Sequence, residues 1–342
     1  MGLETSTDRI IQRLVDAGFA QEFVRASLPE WWDPADDSSS ANTFVSLLLA
    51  KRLSLDPGTL LDDGVPVGFL HTGVPKFKHM RLTDGPRRDV LVAFAQGVGR
   101  VVVGEMGDTP QYPVPTDPVA LRRDVLESGR PHVGFGDVLT VCWSLGIPVL
   151  HLKLFPARTK GVTAMAVRSG DRHVILVARE SGSEAQYMFH VAHELGHIAL
   201  GHLKDASVIV DADPNDPENS PDELIDDEEE IAADRYAQGL LTGNEDFSVD
   251  RDGLGTKGSA SELARKASSI GQELGVDPGH VVMSFGYSTG DWGLAMAAVA
   301  QLPGQSAKPA TLVNRVLWDQ LGPAMRGGME ESRAFLEAVA PI

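Results

Sequence analysis

HVAHELGHIALGHL, residues 190–203, carries His190, His193, His197 and His202 around a single acid, Glu194. His193, Glu194 and His197 form H-E-x-x-H, the pattern of a helix that offers two imidazoles to one metal ion. Residues four apart on an α-helix differ by about 40° in direction and about 6 Å along the axis, so both rings reach one point. Val191, Ala192, Leu195, Gly196 and Ile198 are uncharged, as a buried metal helix requires. Glu194, one position from His193, is placed to touch a water at the metal rather than the metal itself. A hydrolytic zinc site needs a third protein ligand. His190 lies about 10 Å along the axis from His197, too far for one ion to bridge. His202 points roughly 140° away from His197 and is expected to end the helix, its charge facing the C-terminal dipole.

The metzincin pattern, H-E-x-x-H-x-x-G-x-x-H, would need glycine at 200 and histidine at 203. Leu200 and Leu203 stand there instead. Downstream, a second helix is expected from about Asp222 to Leu241, and within it EEEIAADRYAQGLL (228–241) sets Glu230 and Asp234 one turn apart. In glutamate-type zincins a second helix supplies a carboxylate ligand, and an acid one turn later orients a ligand histidine. Glu230 is therefore the expected third ligand and Asp234 the orienting acid, with Glu229 and Asp227 as alternatives for the ligand. Ile231, Ala232, Ala233, Tyr236 and Ala237 indicate that part of this acid-rich helix is buried.

Outward from these helices, a helix over 136–145 (GDVLTVCWSL) ends at Gly146, and IPVLHLKLF reads as a strand. GVTAMAV and HVILVA, joined by RSGDR, read as a hairpin. Residues 205–221 read as an acidic, proline-containing loop. N-terminally, residues 6–26 read as one amphipathic helix, and 43–64 (TFVSLLLAKRLSLDPGTLLDDG) as a helix–turn–helix whose second helix opens at Asp56-Pro57. Another helix is expected over 85–105, and GDTPQYPVPTDP (107–118) is the best linker. Beyond 245, helices are expected at 258–274, 290–302, 310–320 and 328–339. The expected fold class is α+β, a mostly helical chain with a small zincin-like sheet and an active-site helix in the central domain. Three domains follow: a helical 1–118 with a degenerate helix-turn-helix-like module, a metallopeptidase-like 119–245, and a helical 246–342 as a candidate regulatory unit.

Composition narrows the partners. A net charge of −18 speaks against general binding to phosphate backbones, and thirteen of the acids fall within 205–234. Residues 1–70 hold eleven acids against five Arg/Lys, so the helix-turn-helix module is a poor reader of DNA. The cluster Lys76, Lys78, Arg81, Arg87 and Arg88 is expected to be solvated or to serve an interdomain contact. The longest apolar runs are too short to cross a bilayer, no signal peptide is apparent, and the sole cysteine, Cys142, fits a reducing compartment. The expected setting is the cytoplasm, with no membrane partner.

FHVAHELGHIALGHL followed by EEEIAADRYAQGLL resembles the ImmA/IrrE family of metallopeptidases, whose zinc helix F-T-x-A-H-E-x-x-H precedes E-x-x-A-N/D. The likeness spans about 135–245, GIPVLHL included; His190 stands where the family often has threonine. It implies Zn²⁺ held by His193, His197 and Glu230, Glu194 as general base and Asp234 behind a ligand histidine. It also implies a helix-turn-helix repressor as substrate, cleaved to release stress or antiphage genes. The long form looks like peptidases paired with repressors in antiphage operons. Nucleic acid is not expected as a main partner, only as an activating signal. Three residues remain candidates for the oxyanion donor: His280, Tyr287 and Tyr236. Cys142 is a candidate inhibitory zinc thiolate. The competing reading is a DNA-binding or protein-contact stress regulator with a structural zinc.

Overall fold

The computed structural model describes residues 6–33, 38–70, 73–78, 85–157, 161–212, 228–250, 258–304, 308–322 and 330–342. The chain runs α1 (Ser6–Asp16), α2 (Gln21–Ala26), α3 (Ser39–Leu53), α4 (Pro57–Leu61), β1 (Val74–Lys78), α5 (Gly85–Glu105), α6 (Pro118–Leu126) and α7 (Phe135–Ser144). It continues with β2 (Val149–His151), β3 (Val162–Ser169), β4 (Arg172–Val177), α8 (Glu184–Ala199), β5 (Ala206–Ala212) and α9 (Glu228–Thr242). The last elements are α10 (Ala260–Leu274), α11 (Pro278–Thr289), α12 (Trp292–Val299), α13 (Pro309–Leu321) and α14 (Glu330–Val339). The fold is α+β, mostly helical around one small mixed sheet.

The sheet has the order β1-β5-β3-β4-β2. β3 is antiparallel to β4 and β5, while β1 runs parallel to β5 and β2 parallel to β4. Gly170 takes a positive φ of 64° in the tight turn between β3 and β4, within the hairpin that RSGDR predicts. Both faces are covered, which is why the strands read as near-continuous apolar runs. Alternation sorts them: Met165, Val167, Val174, Leu176, Val208 and Val210 join one core cluster with α5 and the N-terminal helices. Ala166, Ile175, Val177 and Ile209 join the other, with α7, α8 and α9. Two-residue periodicity therefore puts Asp211 on the face of Ile209, against α8.

Several expectations change. The acidic loop expected over 205–221 holds a buried strand at Ala206–Ala212, ASVIVDA, whose residues are apolar or small apart from Asp211, while 213–221 lie outside the described residues. The basic cluster loses Lys76 and Lys78 to β1: Phe77 packs into the first core, and the two lysines, two apart, share the opposite face. Arg81 lies outside the described residues. The helix expected over 6–26 breaks at Gly18, which has φ of 108°, into α1 and α2. Among the C-terminal helices, α11 was not expected; Asp277 caps it by accepting from the His280 amide at 3.0 Å, with Pro278 at its first position.

α8 and α9 cross at Gly196. A Cβ built there would stand 3.1 Å from the Ala233 carbonyl oxygen and from Tyr236 Cβ. A side chain at 196 would make the Ala233 backbone and Tyr236 give way, so glycine suits the crossing. At the other sheet edge, the His151 amide donates to Asn314 Oδ1 (2.8 Å), and Asn314 Nδ2 donates to the His151 and Pro341 carbonyls. The His151 ring, buried first and then repelled by Lys153, is pulled down to about 4 and hydrogen-bonds the Tyr187 hydroxyl through Nδ1 (3.0 Å).

Two outcomes are expected. Gly196→Val forces α8 and α9 apart and lowers stability by about 1–3 kcal/mol, read as a shift in the urea midpoint. His151 titrates near 6.5 when unfolded and near 4 when folded, so the unfolded chain binds more protons between those values. Stability is then full above about pH 6.5 and falls as the pH drops toward 4, with at most about 1.4 kcal/mol per pH unit from this group. His151→Gln should flatten that slope; an unchanged slope in parallel urea titrations refutes the assignment.

Candidate metal centre

α8 starts where the Ser183 hydroxyl accepts from the Gln186 amide, and it stops at Leu200, just before Gly201 turns the chain with φ of 75°. His193 and His197 face one point: their Nε2 atoms lie 3.0 Å apart. Glu230, in the first turn of α9, brings Oε2 to 3.4 Å from His193 Nε2 and Oε1 to 3.3 Å from His197 Nε2. Asp211, near the end of β5, adds Oδ2 at 3.0 Å from His193 Nε2 and 3.9 Å from His197 Nε2. Donor atoms from these four buried residues all lie within 4.8 Å of one another, the one such group among the described residues.

The chemistry of this group calls for a cation. Against the cost of burial, His193 and His197 hold the Glu230 carboxyl well below its usual range. Burial likewise opposes a charge on His193, yet Asp211, Asp234 and Glu230 raise it well above its ordinary value. Glu194 is fully buried, and both its carboxylate oxygens lack a hydrogen-bond partner among the described residues. Burial, then the charge of Asp211, holds its carboxyl well above the usual range. Imidazole and carboxylate donors converging beside orphaned, buried acid oxygens fit a divalent ion of the zinc type.

Each imidazole is oriented from behind. His193 Nδ1 lies 2.8 Å from Asp234 Oδ1, one turn beyond Glu230. His197 Nδ1 lies 2.8 Å from His202 Nδ1. Burial, then His197, pulls His202 down to about 4, so its uncharged ring shares the hydrogen bond with His197. The expected charge of His202 at the helix end is thereby overturned: the turn at Gly201 folds the ring back onto His197. Lys76 Nζ donates to the His202 carbonyl (3.0 Å) and to Glu229 Oε1 (2.6 Å), and Lys78 Nζ donates to Glu229 Oε2 (3.0 Å). Glu229 is engaged by these lysines, which overcome burial and take its carboxyl down to about 2. Asp227 lies outside the described residues.

A cleft of about 710 Å³ opens onto the group, with His190, His193, Asp211, Glu230 and Asp234 on one side. Phe189, Phe247, Tyr287 and Trp292 line it too, so α11 and α12 contribute an aromatic wall. Of the oxyanion candidates, Tyr287 lines this cleft, 4.7 Å from the Trp292 ring. Tyr236 is buried with its hydroxyl donating to the Pro115 carbonyl (2.8 Å). His280 stands between Phe189 and Phe247, and burial holds it neutral, near 4; its Nε2 lies 2.9 Å from Gln238 Oε1. Cys142 is buried in the apolar cluster under α8; burial pushes its thiol up to about 12, and it is not in the donor group. Sequence reasoning missed Asp211. Its one signal is a lone acid inside the apolar run ASVIVDA.

Residues 142–257 match the family model of Peptidase_M78, described as the IrrE N-terminal-like domain. No curated protein and no solved structure matches the chain. The match supports the ImmA/IrrE family for this stretch and a metallopeptidase-type function. No helix among the described residues is long and apolar enough to cross a membrane.

Removing the support behind either imidazole should loosen metal binding without abolishing the fold. Asp234→Ala and His202→Phe are each expected to weaken zinc affinity about 10–100-fold, measured by competition with a chromophoric chelator.

Proposed function

We propose that the chain is a zinc endopeptidase, in keeping with its IrrE N-terminal-like stretch, and that its substrate is a helix-turn-helix repressor. The observation that carries the enzymatic reading is the buried, unpartnered Glu194 carboxylate beside the four-donor group. In this reading His193, His197 and Glu230 hold the metal, and Asp234 orients His193. Zinc, when bound, acidifies a coordinated water and polarises a peptide carbonyl. Glu194 takes the proton as the water oxygen bonds to the carbonyl carbon. It returns that proton to the amine nitrogen as the C–N bond breaks. Tyr287, on the cleft wall, is the best placed of the three aromatic or imidazole candidates for contact with the carbonyl oxygen.

A protein substrate suits the cleft, whose aromatic wall offers apolar contact for a side chain next to the scissile bond. The repressor assignment is supported by the resemblance of both helices to the ImmA/IrrE family. Cleavage would release genes for stress response or antiphage defence, with the cytoplasm as the site of action.

A second reading has one observation in its favour: four protein donors are the mark of a structural zinc site. A structural site has no use for a buried base, or for a cleft that reaches its ligands.

The reading is tested by incubating the purified protein with a candidate helix-turn-helix repressor from the same genome. Wild type should cleave and Glu194→Gln should be slower by about 10²–10⁴-fold, with zinc content unchanged. Cleavage by both proteins at one rate, or by neither, refutes it.

A further inference from the structure

We propose that Asp211 is a fourth protein ligand, which closes the coordination position that a hydrolytic metal site leaves to water. This rests on the metallopeptidase reading above. A tetrahedral zinc site with bonds of about 2.0–2.1 Å has edges of roughly 3.3–3.4 Å between donor atoms. His193 Nε2 to His197 Nε2 is 3.0 Å, and the Glu230 oxygens stand at 3.4 and 3.3 Å from the two imidazoles. Asp211 Oδ2 completes the figure at 3.0 and 3.9 Å from the same two nitrogens. Asp211 thus adds a fourth donor with one short and one longer edge, and donor atoms from all four residues lie within 4.8 Å of one another.

The rest of Asp211 is consistent only with an acid aimed inward. It is 6% exposed, and Oδ1 has no hydrogen-bond partner among the described residues. Its backbone is fixed in the sheet: it is in register with Lys78 on one side and Ala164 on the other, and its carbonyl accepts from Thr163 Oγ1 (3.1 Å). Only the side-chain torsions are left to move the carboxylate. Its Oδ2 is met by His193 Nε2 at 3.0 Å, and a cation held by the same donor group would compensate the buried acid further.

A closed site differs in behaviour from an open one. Hydrolytic zinc centres use three protein ligands and leave one position free, whereas four protein ligands describe an inert site. Here the fourth ligand sits beside Glu194 and faces the cleft, as does Glu230. Rotation of the Asp211 carboxylate away from the imidazoles would open a position for water next to the base. With Asp211 in place the loaded site would be closed, and Asp211 itself lines the cleft.

Cobalt substitution tests the assignment. Asp211→Cys loaded with Co²⁺ should show sulfur-to-cobalt charge-transfer absorption in the near ultraviolet, absent from the wild type, whose sole cysteine lies outside the group. Asp211→Asn should bind zinc at least about tenfold more weakly in chelator competition. If the wild type binds Co²⁺ but the charge-transfer band is missing and zinc affinity is unchanged, the ligand assignment is wrong while the peptidase reading stands. If the wild type takes up no Co²⁺, both are overturned.

Discussion

Everything at the site depends on how closely two helices cross. Gly196 lets α9 approach α8 until the Ala233 carbonyl oxygen lies 3.1 Å from where a Cβ would stand. That contact sets the distance at which Glu230 meets two imidazoles that are already spaced by the helix repeat. A larger residue would push α9 outward and strand a buried carboxylate, an arrangement that folded proteins avoid. The crossing therefore fixes both the packing of the second core cluster and the chemistry above it.

The charges in this small volume constrain one another. Glu194, Asp211 and Glu230 are three acids buried around His193 and His197. Without a cation, His193 is driven toward its protonated form by the acids around it. Outside the donor group, Lys76 and Lys78 hold Glu229, and Lys78 also stands 3.7 Å from Glu230. The acidic run that opens α9 thus divides its work. One residue faces inward to the donors, and its neighbour faces a pair of lysines brought by a strand from the N-terminal part of the chain.

Local signals in the sequence give the central helices and the hairpin almost residue by residue. The H-E-x-x-H spacing and the Glu230/Asp234 pair are helical patterns, and the rigid repeat of a helix turns spacing into geometry. Glu230 lies beside both imidazoles and Asp234 behind one of them, and the class is α+β. What was not legible depends on pairing across the chain. β1 is a strand only because β5 lies beside it, and VPKFK alone reads as a basic surface. β5 itself was hidden by the acids that follow it. Asp211 points inward because the ladder fixes its parity, which a loop reading could not supply. His202 was misjudged for a similar reason: one glycine with a positive φ folds its ring back onto the site.

The parallel pairing of β1 with β5 joins residues that are made far apart in time. Val74 waits for Ala206 before the edge of the sheet can form, and pairings of this range are slow to close. In the interval VPKFK is an open strand, the kind of segment that sticks to other chains. Its two lysines, at 76 and 78, give it the charge that guards such segments against aggregation. Once β5 and α9 arrive, the same ammonium groups meet Glu229. One pair of side chains therefore serves the nascent chain as protection and the finished fold as a clasp behind the metal site.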